Sequence, residues 1–207
     1  MTNILLKVID RINFILRPLY FINKKSKLQG VGRTIVCNNC TGSMMLHDLG
    51  LRFDTPTVNL FMTPDDYVSF VKRLPEIAVE EIKQIHIPGC TYPVGVIGGG
   101  ITIHFMHYHS FDEAVLSWRR RAKRIDMDNL YLIFVINGTE DQSSLLEEFG
   151  RIKCKKKVAL TREKINLSYA YQIKGWDFNS GRLMTDYHGM LGKRYYDQFD
   201  FYNFLRD

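Results

Sequence analysis

The chain has 207 residues, 45% of them apolar and 24% charged, with 28 Lys and Arg against 22 Asp and Glu. These proportions belong to a globular chain with one good core and exclude a disordered, collagen-like or disulfide-scaffold protein. The four cysteines have no framework spacing, which fits a reducing compartment, and no apolar run approaches the ~20 residues that span a bilayer.

The excess positive charge is local. Residues 1–33 hold Lys7, Arg11, Arg17, Lys24, Lys25, Lys27 and Arg33 against the single acid Asp10, and the 21 bases and 21 acids of the remainder cancel. A nucleic-acid footprint belongs on the folded surface that grips phosphates, so this distribution argues against nucleic acid as a partner. Leu5, Val8, Ile9, Ile12, Ile15, Leu16 and Leu19 recur at helical spacing, with Lys7, Arg11 and Arg17 between them. A basic amphipathic helix of this kind suits the headgroup region of an anionic membrane. Docking on the protein's own core is the other reading. Residues 1–33 are thus read as a basic amphipathic arm and linker, and 34–207 as one domain.

In the body, strand-like and helix-like runs alternate. Thr34–Asn38 is β-branched. Thr41 opens a helix that Gly50 ends. Thr57–Phe61 is strand-like, and Thr63-Pro64-Asp65-Asp66 is a helix start with a capping hydroxyl, Pro in the first turn and acids against the dipole. Ile85–Ile87 and Val94–Ile97 are short apolar runs, Gly98–Gly100 a turn, and Ile101–Tyr108 an alternating strand. Ser110 and Glu113 form a capping box for a helix through about Arg124. Leu130–Ile136 reads as a buried central strand. Thr139–Gln142 caps a helix ending at Gly150, and Val158–Thr161 and Tyr169–Lys174 are further strands. This order predicts an α/β fold, a layered, mostly parallel or mixed sheet with flanking helices behind the N-terminal helix.

Three stretches could carry chemistry. The first is Cys37-Asn38-Asn39-Cys40 at the end of the first body strand, where α/β folds place ligand sites. A helix start there would favour a Cys40 thiolate, with the Asn38 and Asn39 amides binding substrate or an oxyanion. Buried structural cysteines are the alternative. A zinc site needs a second pair, which Cys90 and Cys154 do not make, so no metal site is expected. The second stretch is His104, His107 and His109. On a strand His107 and His109 share a face, and a single catalytic His107 is the favoured role. The third is Trp118–Arg124, whose Arg120 and Arg124 share a helix face able to hold phosphates, unless that face is simply solvated. No GxSxG, HExxH, P-loop or DxD pattern is present, and no motif names a cofactor.

The blocks TIVCNNCTGSMMLHDLGLRFDTPTVNLFM, HYHSFDEAVLSWRRRAKRID and KGWDFNSGRLMTDYHGMLGKRYYDQFDFYNFL, covering about residues 33–205, resemble a family of bacterial exopolysaccharide- and capsule-biosynthesis proteins defined by a domain of unknown function. The resemblance implies an α/β protein of cell-surface polysaccharide production, working at the cytoplasmic face of the membrane. Its closing block adds Lys193 and Arg194, which with neighbouring tyrosines suit a phosphorylated glycan or a sugar surface. The resulting expectation is a transferase acting on a polysaccharide or lipid-linked glycan precursor. In an acyl version Cys40 attacks, His107 moves the proton and Asn39 holds the oxyanion. In a glycosyl version Arg120, Arg124, Lys193 and Arg194 hold phosphates. Cys40 at a helix start and the missing DxD tilt the choice toward acyl transfer. A non-catalytic glycan-binding or assembly protein is the alternative.

Overall fold

The structure is a computed structural model that describes residues 3–25, 28, 32–177, 183–188 and 192–206. Ser26 and Lys27 of the basic run, and 178–182 and 189–191 of the closing block, lie outside the described residues.

A four-stranded sheet forms the centre, in the order β1 (Thr34–Cys37), β5 (Leu130–Ile136), β6 (Lys156–Thr161), β7 (Ala170–Gln172), every neighbouring pair parallel. An antiparallel sheet of β2 (Lys83–Ile85), β3 (Val94–Ile97) and β4 (Ile101–His104) is inserted between β1 and β5. The expected mixed α/β fold is therefore present. The central strand β5 is buried along its whole length, and its side chains alternate between two cores. Leu130, Leu132, Phe134 and Ile136 join the core beneath α3 (Pro64–Lys72), α4 (Phe111–Ala122) and α5 (Ser143–Arg151). Tyr131, Ile133 and Val135 face a second core built with α1 (Asn3–Lys25), α2 (Cys40–Leu49) and the C-terminal block that ends in α6 (Phe201–Leu205). A continuous apolar run is what a strand covered on both faces requires.

The helix signals act largely as read. Thr63 Oγ1 accepts from the Asp66 N–H at 3.2 Å, Ser110 Oγ from the Glu113 N–H at 3.2 Å, and Gly50 ends α2 in the left-handed region at φ 66°. At α2 the cap is Asn39, whose Oδ1 accepts from the Thr41 N–H at 3.0 Å, so the helix starts at Cys40 and not at Thr41.

Two expected strands differ. Thr57–Phe61 is not a strand: only Phe61 pairs, in an isolated antiparallel bridge with His104. Its β-branched residues instead cover the open edge of β1, where the Cys37 N–H donates to Thr57 Oγ1 at 3.2 Å. Covering an edge in this way blocks adventitious strand pairing. The run 101–108 is strand only to His104. The chain then turns, with the Met106 N–H on the His104 carbonyl at 3.0 Å and the Tyr108 N–H on that of Phe105 at 3.2 Å. His107 and His109 therefore sit in a turn, not on a strand face.

The N-terminal helix docks on the body through Asn13, Arg17 and Phe21, all buried. Arg17 Nε donates to Asp48 at 3.0 Å on α2, and its other nitrogens reach the Gly192 carbonyl at 2.7 Å, the Tyr196 hydroxyl at 2.7 Å and Asp197 at 3.2 Å. The guanidinium lies between the rings of Phe21 and Tyr196, 4.7 and 5.2 Å from their centroids. Burial alone would lower its pKa, but its hydrogen bonds to the Asp197 and Asp48 carboxylates raise it above the ordinary arginine value. Gly192 is required for this approach. Its φ is +70°, and a Cβ would come within 2.8 Å of the Arg17 nitrogen and the Asn13 carbonyl oxygen.

Truncating Arg17 strands two buried carboxylates. Removing one partner of a buried ion pair costs ~3–5 kcal/mol, and Arg17→Ala is expected to lose stability in that range in urea unfolding. A loss under ~1 kcal/mol, the level of an exposed pair, would show that the helix is not held by this cluster.

Candidate functional site

At the carboxyl ends of β1 and β5 lies a cavity of about 260 Å³, lined by Asn38, Asn39, Phe61, Pro64, Val135, Ile136, Asn137, Gln142, Trp176, Leu183 and Met184. Open parallel sheets place ligands at this edge, because the chain leaving each strand turns there toward a helix.

Asn38 builds the floor. Its Nδ2 donates to the Val135 carbonyl and its Oδ1 accepts from the Val135 N–H, both at 2.9 Å. The carboxamide thereby imitates a peptide group and adds a rung to the β1–β5 ladder after the main chain has turned away. The Asn38 carbonyl accepts from the Met62 N–H at 2.8 Å, tying the floor to the wall that carries Phe61 and Pro64. Asn39 caps α2 through its oxygen, and Gln142 Oε1 accepts from the Gly138 N–H at 3.0 Å. The amide nitrogens of Asn39 and Gln142 and the side chain of Asn137 are not engaged by these caps. Together with Trp176 they give the cavity both hydrogen-bonding groups and an indole in its lining. None of the described lining residues is ionisable.

The remaining candidates fall elsewhere. Cys40 is the first residue of α2, but its thiol points to the Leu60 carbonyl at 3.8 Å, behind the cavity wall. Burial raises its pKa, so the helix start does not yield the thiolate expected of it. Cys37 is fully buried, and desolvation pushes its thiol up to about 12. His107 is exposed in the turn after β4 and does not line the cavity. His104 stands beside the wall, its ring 5.8 Å from that of Phe61 and its Nδ1 3.4 Å from the Tyr92 hydroxyl. A second cavity of about 330 Å³ runs along β2 and the 86–93 loop, with His86, Cys90 and Tyr92 among its lining. It is built on an edge strand and a loop rather than on strand ends.

The cations do not gather at the cavity either. Arg124 donates to the Phe53 carbonyl at 2.8 Å and lies 3.5 Å from Asp54, near the beginning of β1, where the Asp126 N–H meets Thr34 Oγ1. Arg120 is exposed on α4. Arg194 donates to the Thr185 carbonyl and stacks on Tyr187 at 4.5 Å, which makes it part of the C-terminal scaffold. Lys193 is exposed beside it. Among the described residues no group of three or more His, Cys, Asp or Glu could hold a metal ion.

Asn137, Gln142 and Trp176 escaped the sequence reading. The rule that drew attention to Asn38 and Asn39, polar residues just past a parallel strand, applies equally to Asn137, which directly follows β5.

His104 supplies a pH test. Partial burial holds its imidazole below the ordinary value of 6.5, against the upward pull of Asp66. A depressed folded pKa means that the unfolded chain takes up the proton first. The contribution is complete above the unfolded value and is lost as pH falls through the folded one. Between about pH 7 and pH 5 the wild type is expected to lose urea stability faster than His104→Gln. A constant difference between the two across that range would reject the assignment.

A family model for a domain of unknown function, DUF1919, matches residues 11–206. An uncharacterized protein of Haemophilus influenzae is 33% identical over 189 residues, covering 89% of this chain and 90% of the relative. Neither the family description nor the relative's name carries a reaction, a substrate or a link to polysaccharide. The match runs from within α1 to the end of α6, so Arg17 and α1 from residue 11 onward lie inside the family unit along with the strand-end cavity, and the chain belongs to the DUF1919 family.

Proposed function

We propose that the chain is a saccharide-recognition protein, binding an uncharged sugar unit in the strand-end cavity. The observation that carries this reading is the composition of the walls: four carboxamides and a tryptophan, with no charged group among the described lining residues. Carboxamides both donate and accept, which matches vicinal hydroxyls. An indole face offers an apolar platform for the C–H side of a sugar ring. The cavity lies below the ~300–1,000 Å³ of drug-sized sites, a size suited to one small ring. A nucleotide-sugar diphosphate calls for clustered cations, which Arg and Lys supply wherever phosphate is gripped, and none is among the described lining residues.

This favours the glycan-binding alternative over transfer by Cys40 and His107. The resemblance to exopolysaccharide- and capsule-biosynthesis proteins supports a bacterial surface glycan, or its lipid-linked precursor, as the source of the sugar. Catalysis survives as a second reading only through His104, which has Asp66 and Tyr92 beside it and Phe61 between it and the cavity.

The test is a glycan array of bacterial surface-polysaccharide fragments probed with the full chain, followed by titration of any hit. Asn137→Ala and Trp176→Ala are expected to weaken binding roughly tenfold or more, the worth of one or two lost hydrogen bonds or a ring contact. Cys40→Ala is expected to leave it unchanged. Specific stabilisation by acyl-CoA or nucleotide-sugar compounds in a thermal-shift screen, lost in Cys40→Ala, would replace this reading with transfer.

A further inference from the structure

The face of α1 that does not touch the body is apolar. Val8, Ile12, Ile15, Leu19 and Ile22 recur at alternating spacings of four and three, and they are exposed by 48, 48, 68, 62 and 63%. On a helical wheel this stripe is centred opposite Arg17, the residue that anchors the helix. Phe14, 69% exposed, adds an aromatic ring beside it. Elsewhere large exposed apolar side chains occur singly, as at Val79 and Leu116, which needs no explanation. A continuous row along a helix does.

Charge identifies the occupant. Arg17 and Arg33 are buried and bound to protein oxygens, and the other charged residues in the arm's sequence are Lys7, Arg11, Lys24, Lys25 and Lys27 against Asp10. Arg11 is exposed and follows Val8 by three positions and precedes Ile15 by four, which places it on the border of the stripe. The rest of the chain sums to zero charge. A second copy brought face to face would set these cations against their own kind. A surface that is apolar inside and anionic at its rim satisfies both features at once. No helix among the described residues is long and apolar enough to cross a membrane. We infer that α1 lies in the headgroup layer of an anionic membrane, its Val8–Ile22 stripe buried among the acyl chains and its lysines and arginine at the phosphates. The inference is independent of the sugar-binding reading, since it rests on the opposite face of a different element.

Co-sedimentation of the full chain with phosphatidylglycerol/phosphatidylcholine vesicles tests it. Binding is expected to such vesicles, to fall roughly tenfold on pure phosphatidylcholine and to weaken as salt rises to about 0.5 M. The Ile15→Glu/Leu19→Glu double variant alters only exposed positions, so its thermal melt should match wild type while its vesicle binding falls roughly tenfold or more. Lys7→Gln/Arg11→Gln probes the charged border without touching the stripe and should lower binding to anionic vesicles only. Absence of wild-type binding, equal binding to neutral vesicles, or equal binding by the double variant overturns the inference. So does a concentration-dependent dimer in light scattering that the double variant abolishes while vesicles fail to bind, because the stripe would then belong to a second copy.

Discussion

A single guanidinium holds together parts of the chain that are far apart in sequence. Arg17 brings the N-terminal helix, Asp48 on α2 and the Tyr196-Asp197 segment near the C-terminus to one point from which water is excluded. Two carboxylates surround one cation there, and the Tyr196 hydroxyl donates to Asp48 while accepting from Arg17. Arginine meets such a demand better than lysine, because its planar fork bonds several oxygens in fixed directions and still offers flat faces to Phe21 and Tyr196. The second core depends on this point. Phe21, Phe201, Leu205 and Tyr196 all belong to it and come from the segments that Arg17 joins. Burying an ion pair is weak ground for stability as such. Its better supported effect is geometric, since only one docking of the helix brings Asp48, the Gly192 carbonyl, Tyr196 and Asp197 to the three guanidinium nitrogens together.

The same anchoring decides what the helix can present. A helix free to roll would bury its most apolar face on the core. Here the polar anchor fixes the roll, so that Asn13, Arg17 and Phe21 point inward and the stripe from Val8 to Ile22 points out. Self-docking is therefore realised on one face of the element, and the opposite face leaves its apolar stripe exposed.

Much of the architecture was legible because it rests on local rules. Leu130–Ile136 had to be a doubly covered strand, Thr63-Pro64 and Ser110 had to open helices, and Gly50 had to close one, and each does so for the reason its chemistry suggests. The misreadings share a cause. Thr57–Phe61 has strand composition, but its hydroxyls serve the edge of β1 and Asn59 takes a positive φ of 60°, which no ladder accommodates. The alternation in 101–108 is interrupted by hydrogen bonds invisible in the sequence, and with it went the shared face of His107 and His109. At the site, Asn38 and Asn39 were found from their place past a strand. Which groups stand beside them was not accessible, because Asn137, Gln142 and Trp176 arrive from about a hundred or more residues away through the parallel register. Reactive residue types drew attention to Cys40, yet the direction of its thiol is set by the Leu60 carbonyl, a long-range packing fact.

The side-chain rung formed by Asn38 has one more implication. Because a carboxamide completes the ladder where the backbone leaves it, the base of the cavity inherits the stiffness of the sheet instead of the mobility of a loop. An incoming molecule meets a surface already in its final shape, so ordering losses on association fall on the guest and little on the host. Selectivity in such a recess arises by excluding shapes that do not fit, in contrast to a site that closes around whatever enters it.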